Sequence, residues 1–413
     1  MIYLYNLVIL ILLPIYLLYL WRQQKGFLRL KERLGFLPKC NNNPIWIHSV
    51  SLGESKISLK LAEILKERGF NPFLTSTTRA GLSQLKKSKF PLSAFPIDFY
   101  PFQLRAVKRL KPKAIVMVET EIWPSIIQIC TRKKIPFFIV NGRISDNIFK
   151  RYIKFKRFLS DILGHIYLSS LSDDSKKRFL DLGVKEENCI VLPNMKFDIE
   201  PPEKKELTEF RLKTAHLFPD IQISTIIGGS IREGEEEIVI NNFKKVKEIN
   251  SNIRLIFAPR HSDRVKTTID LCEKNELKSV LRSKGESSQW DVLIIDTIGE
   301  LFYFYSYADI AIIGGTFLPF GGQNPLEPAV FRVPILTGKH FNNFYVEMMS
   351  LIKNGAAIVC EKETLSDKIK QLLENESIRQ EMAEAAFKTV QMSKGSTLKT
   401  ATYLEQKLKR VVN

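Results

Sequence analysis

Short apolar runs alternate along the chain with longer segments in which apolar residues recur at helical spacing. Short runs bounded by turn residues are typical of buried strands, and the longer segments are typical of amphipathic helices. The alternation predicts parallel α/β sheets covered by helices on both faces. The first half has predicted strands at 44–50, 72–75, 114–118, 136–140 and 166–169, and predicted helices at 54–68, 101–110, 122–133 and 144–163. The second half has predicted strands at 224–227, 254–258, 291–296, 309–313, 333–336 and 356–359.

A polar stretch that contains Pro201 and Pro202 interrupts this alternation in the middle of the chain. Such a stretch is typical of a linker. We therefore expect two doubly wound, Rossmann-like domains, over residues 22–197 and 208–413, joined by a linker over 198–207. Ligands of doubly wound sheets bind beyond the carboxyl ends of the strands, so the cleft between the two domains is the expected active site.

The first 21 residues contain no Asp, Glu, Lys, Arg or His. A helix of that length rises about 30 Å, which is the thickness of a bilayer's hydrocarbon core. Residues 22–33 then carry five cations against Glu32 alone, and a basic flank of this kind lies on the cytoplasmic side. The pattern predicts a single-pass transmembrane anchor over residues 1–21, with the body at the inner face of the cytoplasmic membrane. The alternative is a buried hydrophobic helix docked on the body.

Composition excludes several classes of protein. With 45% hydrophobic and 26% charged residues, the chain is expected to fold rather than remain disordered. Its five cysteines form no C-x-x-C and its five histidines no H-x-x-H or H-x-x-x-H pair, so neither a disulfide scaffold nor a metal site is expected. Residues 1–197 carry 33 Lys and Arg against 14 Asp and Glu, a net charge of +19, whereas the whole chain carries +18. The first half is therefore expected to meet an anionic partner, whether nucleic acid, phospholipid headgroups or a phosphorylated substrate.

Carboxylates follow two predicted strands of the first half. Glu54 comes after the strand 44–50 at a predicted helix start, and Glu119 and Glu121 come directly after 114–118. Glu54 either complements the helix dipole or serves as a general base, and the residues alone leave both open. Two neighbouring carboxylates raise the pKa of one of them, which favours proton transfer or a hydrogen bond to a sugar hydroxyl.

Glycine turns and a cation follow the strands of the second half. The turns are Gly228–Ser230, Gly314–Thr316 and Gly321–Gly322, and Arg260 ends another strand. Glycine turns with a carboxylate soon after suit a nucleotide, whose phosphate meets the amides and whose ribose meets Glu327. These strand ends have no G-x-G-x-x-G, and the chain contains neither a P-loop motif nor D-x-D, so simple dinucleotide or P-loop chemistry is disfavoured.

Seven short motifs occur in order along essentially the whole chain: S-L-G-E, V-E-T-E-I-W-P, N-G-R-I-S, L-P-N-M-K-F-D, G-S-x-x-E-G-E-E, A-P-R-H and G-G-x-N-P-L-E-P-A. In this order they resemble the 3-deoxy-D-manno-octulosonic acid (Kdo) transferases of lipopolysaccharide lipid A-core synthesis. The resemblance implies an inverting GT-B glycosyltransferase that moves Kdo from CMP-Kdo to a lipid A precursor, lipid IVA. It also implies that the transfer needs no cofactor and no metal ion.

The same resemblance implies roles for individual residues. Glu54 would be the general base that deprotonates the acceptor hydroxyl, and Glu119 and Lys196 would stabilise the transition state. Two positions depart from the family pattern: Gln323 stands where His is usual, and Ile231–Arg232 where Thr-His is common. The CMP-binding positions would be Pro259, Arg260, Ile298, Gly299, Glu300, Asn324, Pro325, Leu326 and Glu327.

Two other functions remain open from the sequence. One is a GT-B transferase that uses a UDP-sugar and a different lipid acceptor, and the other is a non-catalytic membrane protein that binds anionic lipid or RNA. Because the positive charge is confined to the half with the apolar segment, lipid is favoured over nucleic acid. The expected partners are CMP-Kdo, the lipid A precursor and anionic inner-membrane lipids, without nucleic acid, and no protein partner can be inferred.

Overall fold

The computed structural model describes residues 1–23, 29–40, 42–219, 222–285 and 289–412. The chain divides into two compact units, the first formed by residues 1–196 together with 395–412 and the second by residues 197–394. Each unit contains one seven-stranded sheet whose paired strands are all parallel. Two parallel α/β domains are therefore confirmed, as the alternating pattern predicted.

The first unit begins with the helix α1 and builds its sheet between residues 45 and 191. In the sheet the strands lie in the order β3-β2-β1-β4-β5-β6-β7. The strands are β1 (Ile45–Ser49), β2 (Pro72–Ser76), β3 (Leu92–Ala94), β4 (Ala114–Val118), β5 (Phe137–Gly142), β6 (Tyr167–Ser170) and β7 (Cys189–Val191). The helices are α1 (Ile2–Gln23), α2 (Leu30–Arg33), α3 (Leu52–Glu67), α4 (Arg79–Leu85), α5 (Tyr100–Leu110), α6 (Pro124–Lys133), α7 (Asp146–Tyr152), α8 (Lys156–Leu163) and α9 (Asp173–Asp181).

The second unit repeats this organisation. Its sheet has the order β10-β11-β9-β8-β12-β13-β14. The strands are β8 (Ser224–Ile231), β9 (Ile253–Pro259), β10 (Ser279–Leu281), β11 (Val292–Ile294), β12 (Ile310–Ile313), β13 (Ile335–Thr337) and β14 (Ala357–Val359). The helices are α10 (Lys204–Thr214), α11 (Glu235–Ile249), α12 (Val265–Lys274), α13 (Leu301–Phe304), α14 (Leu326–Val330), α15 (Tyr345–Lys353), α16 (Leu365–Glu374) and α17 (Glu376–Met392).

The central strands explain why the apolar runs are continuous rather than alternating. Every residue of β1 and β4 is buried, because both faces of the sheet are covered. Trp46 and Ile115 pack in one hydrophobic cluster, whereas their neighbours Ile47 and Val116 pack in another. Successive side chains thus enter two different cores on opposite faces of the sheet.

The last helix, α18 (Ser396–Val412), belongs to the first unit, whereas the sequence assigned residues 208–413 to the second domain. Leu404 of α18 packs with Leu61 of α3, and Arg68 forms a 2.8 Å salt bridge with Glu405. An amphipathic pattern reports that a helix has an apolar face but does not report which core receives that face. The predicted linker 198–207 is also shorter in the structure, since α10 begins at Lys204.

Helix α1 lies against the first unit. The Tyr5 hydroxyl donates to the Asp98 carboxylate at 2.9 Å, and the Tyr100 amide donates to Asn6 Oδ1 at 2.7 Å. Many of its other apolar side chains are exposed, Ile11 among them.

Within the described ranges, no helix combines the length and the apolar character that a membrane crossing requires. The transmembrane anchor predicted over residues 1–21 is therefore not supported. The alternative, a buried hydrophobic helix docked on the body, is not confirmed either, because many apolar side chains of α1 are exposed. Part of the predicted basic flank, residues 24–28, lies outside the described ranges.

Candidate functional site

Each sheet has one topological switch point, where the chain turns from one side of the sheet to the other. In the first sheet it lies between β1 and β4, and in the second between β8 and β12. The loops that leave two such strands diverge, and the crevice between them at the carboxyl edge is where open α/β sheets bind ligands. Glu54 follows β1, and Glu119 and Glu121 follow β4, so all three carboxylates lie at the switch point of the first sheet.

Glu54 is held by the start of helix α3. Ser51 caps this helix, because its hydroxyl oxygen accepts the Glu54 amide at 3.3 Å and its hydroxyl donates to Glu54 Oε1 at 2.8 Å. Glu54 Oε2 accepts the Val50 amide at 2.7 Å. These contacts form a capping box, which accounts for Ser and Glu at this spacing and fixes the carboxylate in one orientation.

Burial and the charges of neighbouring carboxylates raise the pKa of Glu54 and that of Glu121. Burial raises the pKa of Glu54, and the charge of Glu119 raises it further, against the hydrogen bonds from Val50 and Ser51. Burial also raises the pKa of Glu121 to about 7, with added repulsion from Glu54 and Glu119. A carboxyl group that titrates near neutral pH is suited to proton transfer.

Lys196 provides a positive charge beside this cluster. Its Nζ lies 2.6 Å from Glu119 Oε1. Glu119 itself has a φ of +68°, a left-handed conformation that turns the chain sharply after β4. The structure thus brings Glu54, Glu119 and Lys196 together at one edge, while their catalytic roles remain predictions.

Two further residues hold the surrounding loops, and the sequence assigned no role to either. Asn141, whose φ is +61°, accepts the Met195 amide on its Oδ1 at 2.9 Å and so fixes the turn that carries Lys196. Thr120 exchanges hydrogen bonds with the backbone of Arg143, at 2.6 and 2.7 Å, and so joins the loops after β4 and β5. The signal for Asn141 was present, since Asn tolerates left-handed turns, but its partner is remote in sequence.

The predicted nucleotide positions of the second unit lie on three loops at the carboxyl edge of its sheet. After β9, the Arg260 amide donates to the Ile231 carbonyl and its side chain is exposed. After β11, Ile298 is exposed, Gly299 has a φ of +90°, and Glu300 pairs with Arg282 at 3.1 Å. After β12, Asn324 donates to Glu327 at 3.3 Å and caps the backbone at Leu326. Pro259 is the last residue of β9, and Pro325 immediately precedes α14.

The glycines at 228 and 229 do not form the turn that the sequence predicted. Both lie inside β8, which continues to Ile231. A Cβ on Gly229 would lie 2.1 Å from the Tyr305 hydroxyl, so close packing against this tyrosine explains the glycine there. The turn after β12 does form, and Gly315 in it has a φ of +73°.

Glu235, the first residue of α11, appeared in the sequence analysis only within the motif G-S-x-x-E-G-E-E. Its side chain is fully buried. The carboxylate accepts the amides of Gly315 and Phe317, at 2.5 and 2.9 Å, and that of Leu318 at 3.3 Å. It also accepts the Arg232 amide at 3.0 Å, so one carboxylate joins the loops after β8 and β12.

No group of three or more His, Cys, Asp or Glu side chains in the described part of the chain is arranged to hold a metal ion. The three carboxylates of the first switch point are instead placed beside Lys196 and the capped start of α3.

Comparisons with known proteins show what this chain is similar to. Residues 28–199 match a family model described as 3-deoxy-D-manno-octulosonic-acid transferase (kdotransferase). A 3-deoxy-D-manno-octulosonic acid transferase of Haemophilus influenzae is 29% identical over 400 residues, which cover 93% of this chain and 92% of that protein. The enzyme of the same name from Rickettsia felis is 31% identical over 340 residues, covering 80% of this chain and 71% of that protein.

Solved structures show the same fold. A glycosyltransferase from Rickettsia africae superimposes with a TM-score of 0.63 at 14% identity, covering 91% of this chain and all of that one. WaaG, a glycosyltransferase involved in lipopolysaccharide biosynthesis, gives a TM-score of 0.55 at 12% identity, covering 86% of this chain and 98% of that one. These likenesses identify the two parallel-sheet units as resembling GT-B glycosyltransferases. The chain belongs to the 3-deoxy-D-manno-octulosonic acid transferase family, and it is a Kdo glycosyltransferase of lipopolysaccharide synthesis.

Proposed function

We propose that this enzyme transfers Kdo from CMP-Kdo to a hydroxyl group of a lipid A precursor, lipid IVA, with inversion at the anomeric carbon. The observation that carries the proposal is the cluster of Glu54, Glu119 and Lys196 at the switch point of the first sheet. In a single displacement, the acceptor hydroxyl must lose its proton as it attacks the sugar. Glu54 is the base in this step, since the capping box fixes its orientation and its raised pKa gives it affinity for the proton.

The remaining charges suit the transition state of this displacement. As the bond to CMP breaks, positive charge develops on the sugar ring and negative charge on the leaving phosphate. Glu119 is the carboxylate that stabilises the ring, and Lys196 holds it in place through their 2.6 Å ion pair. Arg260 and backbone amides of the glycine turns stabilise the phosphate in the second unit.

We further propose that the enzyme works at the inner face of the cytoplasmic membrane, on anionic lipid and without nucleic acid. Support comes from a cavity of about 770 Å³ along α5, lined by cations and by the exposed ring of Phe36. Among the residues described, no salt bridge joins these cations to a carboxylate, and a basic surface with an aromatic beside it suits phospholipid headgroups. The cations are Lys39, Arg105, Lys108, Arg109 and Lys111.

The test is to incubate the purified protein with CMP-Kdo and lipid IVA and to analyse the lipid by mass spectrometry. We expect a lipid product that has gained Kdo, together with release of CMP. Release of CMP without a Kdo-bearing lipid would contradict the proposed acceptor. Stronger thermal stabilisation by UDP-sugars than by CMP would contradict the proposed donor and favour a transferase that uses UDP-sugars.

A further inference from the structure

Arg232 lies at the switch point of the second sheet, directly after β8. Its amide donates to Glu235, the residue that also holds the loop after β12. A Cβ placed on Gly315 would lie 3.4 Å both from the Cγ of Arg232 and from the backbone of Gly322. The side chain therefore lies beside two residues without side chains, where a ligand can approach the backbone closely.

Two neighbours fix the guanidinium group. The guanidinium carbon of Arg232 lies 4.7 Å from the centre of the Phe320 ring, a cation–π contact. Nη1 lies 3.1 Å from His261 Nε2, and it donates to that nitrogen when the imidazole is neutral. The Nε–H is buried and has no hydrogen-bond partner in the described part of the chain. Arg232 is thus oriented, but part of its hydrogen-bonding capacity is unused.

The neighbouring Arg264 is in a different electrostatic situation. It donates to Glu236 at 2.8 Å and lies 3.7 Å from Glu233, so its charge is balanced within the protein. Within the described ranges, no salt bridge pairs Arg232 with a carboxylate. A partly desolvated guanidinium without an anion is costly, and a bound anion offsets that cost.

We propose that Arg232 binds the phosphate group of the nucleotide donor at this switch point. The inference rests on the proposed function, which supplies a CMP-sugar as the donor. The planar guanidinium matches two phosphate oxygens, and the glycine backbone at 315 and 322 leaves room for them. The family pattern commonly has Thr-His where Ile231–Arg232 stand in this chain. Arg232 is therefore a donor-binding residue that the family pattern does not indicate.

The test compares Arg232→Ala and Arg232→Lys with the wild type by calorimetric titration of CMP, cytidine and free Kdo. For Arg232→Ala we expect CMP to bind about 10 to 100 times more weakly, because a charged hydrogen-bond partner is lost. Cytidine binding should not change, since cytidine has no phosphate. Arg232→Lys should keep part of the CMP affinity, because the charge remains while the planar donor pair is lost.

Arg332→Ala is the matched control. Arg332 also lies over an aromatic ring, that of Phe387 at 3.9 Å, but it is paired with Glu384. Its loss should leave CMP binding unchanged. An equal loss of CMP and cytidine affinity in Arg232→Ala would overturn the proposal in favour of a structural role, and so would unchanged CMP affinity.

Two other outcomes are informative. One shows whether Arg232 binds the phosphate or the sugar carboxylate, and the other distinguishes failure of this proposal from failure of the proposed function. Loss of Kdo binding with CMP binding intact would overturn the phosphate assignment and point to the sugar carboxylate. If the wild type binds a different nucleotide instead of CMP, and that binding depends on Arg232 and on the phosphate, the phosphate site stands while the proposed donor fails.

Discussion

The two units place a glutamate at the same topological position and surround it differently. Glu54 and Glu235 each lie in the first turn of the helix that follows the first strand of its sheet, at the switch point. Glu54 keeps some exposure, 9%, and its carboxylate accepts the Val50 amide and the Ser51 hydroxyl. Glu235 is fully buried and accepts four backbone amides. Equivalent positions thus yield a group available for proton transfer in one sheet and a loop anchor in the other.

The loops opposite these glutamates account for the difference. In the first sheet, the loop after β4 brings Glu119, whose charge raises the pKa of Glu54, and Glu121, whose own pKa is raised by the charges of Glu54 and Glu119. In the second, the loop after β12 turns its backbone amides toward Glu235. Donors around a carboxylate stabilise its charge, whereas neighbouring carboxylates raise its affinity for a proton. The surroundings, rather than the residue type, decide which glutamate can act as a base.

Replacing Glu54 by Gln tests the catalytic side of this comparison, where we expect the largest effect. Loss of the base should lower the rate of Kdo transfer by roughly 10² to 10⁴-fold, because the acceptor hydroxyl is no longer deprotonated. CMP binding, measured by calorimetry, should be retained. Glu63→Gln, an exposed glutamate on the same helix, is the control and should keep full activity. Transfer by Glu54→Gln at the wild-type rate would contradict the assignment of Glu54 as the general base.

Replacing Glu235 by Ala tests the structural side. The four amides would be left without their acceptor, and each buried unpaired amide costs about 1–3 kcal/mol before any relaxation. We expect a lower unfolding temperature and weaker CMP binding, whereas Glu54→Gln changes neither greatly. Thermal melts and CMP titrations measure both quantities. The exposed Glu237 on the same helix supplies the control, Glu237→Ala. If Glu235→Ala behaved like that control, the glutamate would not be an anchor.

Lys196→Met and Glu119→Gln should move the pH dependence of transfer in opposite directions. Without the lysine, the charge of Glu119 is uncompensated and the pKa of Glu54 rises, so the acid limb of kcat/KM moves to higher pH. Without the Glu119 charge, the pKa of Glu54 falls and the limb moves to lower pH. We expect shifts of about one pH unit on the residual activity of each variant. Shifts in the same direction would contradict the electrostatic coupling.

Glu121→Gln should have the smallest effect, a change in how stability depends on pH. The folded-state pKa of Glu121 is raised from 4.5 to about 7. A raised carboxyl pKa means that the folded state holds the proton more tightly, so this contribution is present at pH 4 and is lost as pH rises through 7. The glutamine side chain stays neutral at every pH, so the variant avoids this decrease in the free energy of unfolding, which is at most about 3 kcal/mol. In thermal melts, the unfolding temperature of Glu121→Gln should exceed that of the wild type at pH 8 and differ little from it at pH 5. A difference in unfolding temperature that does not depend on pH would contradict this account.

Local pattern was sufficient for most of the fold. The longer strands, such as β1 and β4, were predicted because their apolar runs stand out against helical periodicity. β3, β7 and β10 are three-residue strands at the edges of the two sheets, and the sequence missed them. The predicted helix 144–163 is interrupted by a 3₁₀ turn at Ile153–Phe155, which separates α7 from α8.

The candidate site divides in the same way. Glu54, Glu119 and Arg260 were predicted because they follow strands, and chain order alone places such residues at the carboxyl edge of a parallel sheet. Asn141 and Glu235 lie in two of the quoted motifs but were assigned no role, because their partners Met195 and Gly315 are remote in sequence. A residue's local environment in sequence does not report which distant amides will reach it.

The amino-acid sequence by itself determined the α/β class, the division into two sheets and the order of motifs that marks the family. Each of these follows from periodicity or from short-range spacing. Only the tertiary structure decided that α18 joins the first unit and that Lys196 pairs with Glu119. It also decided that Glu54 and Glu235 differ, because burial and the donors around a carboxylate arise from loops that converge only after the sheet has formed.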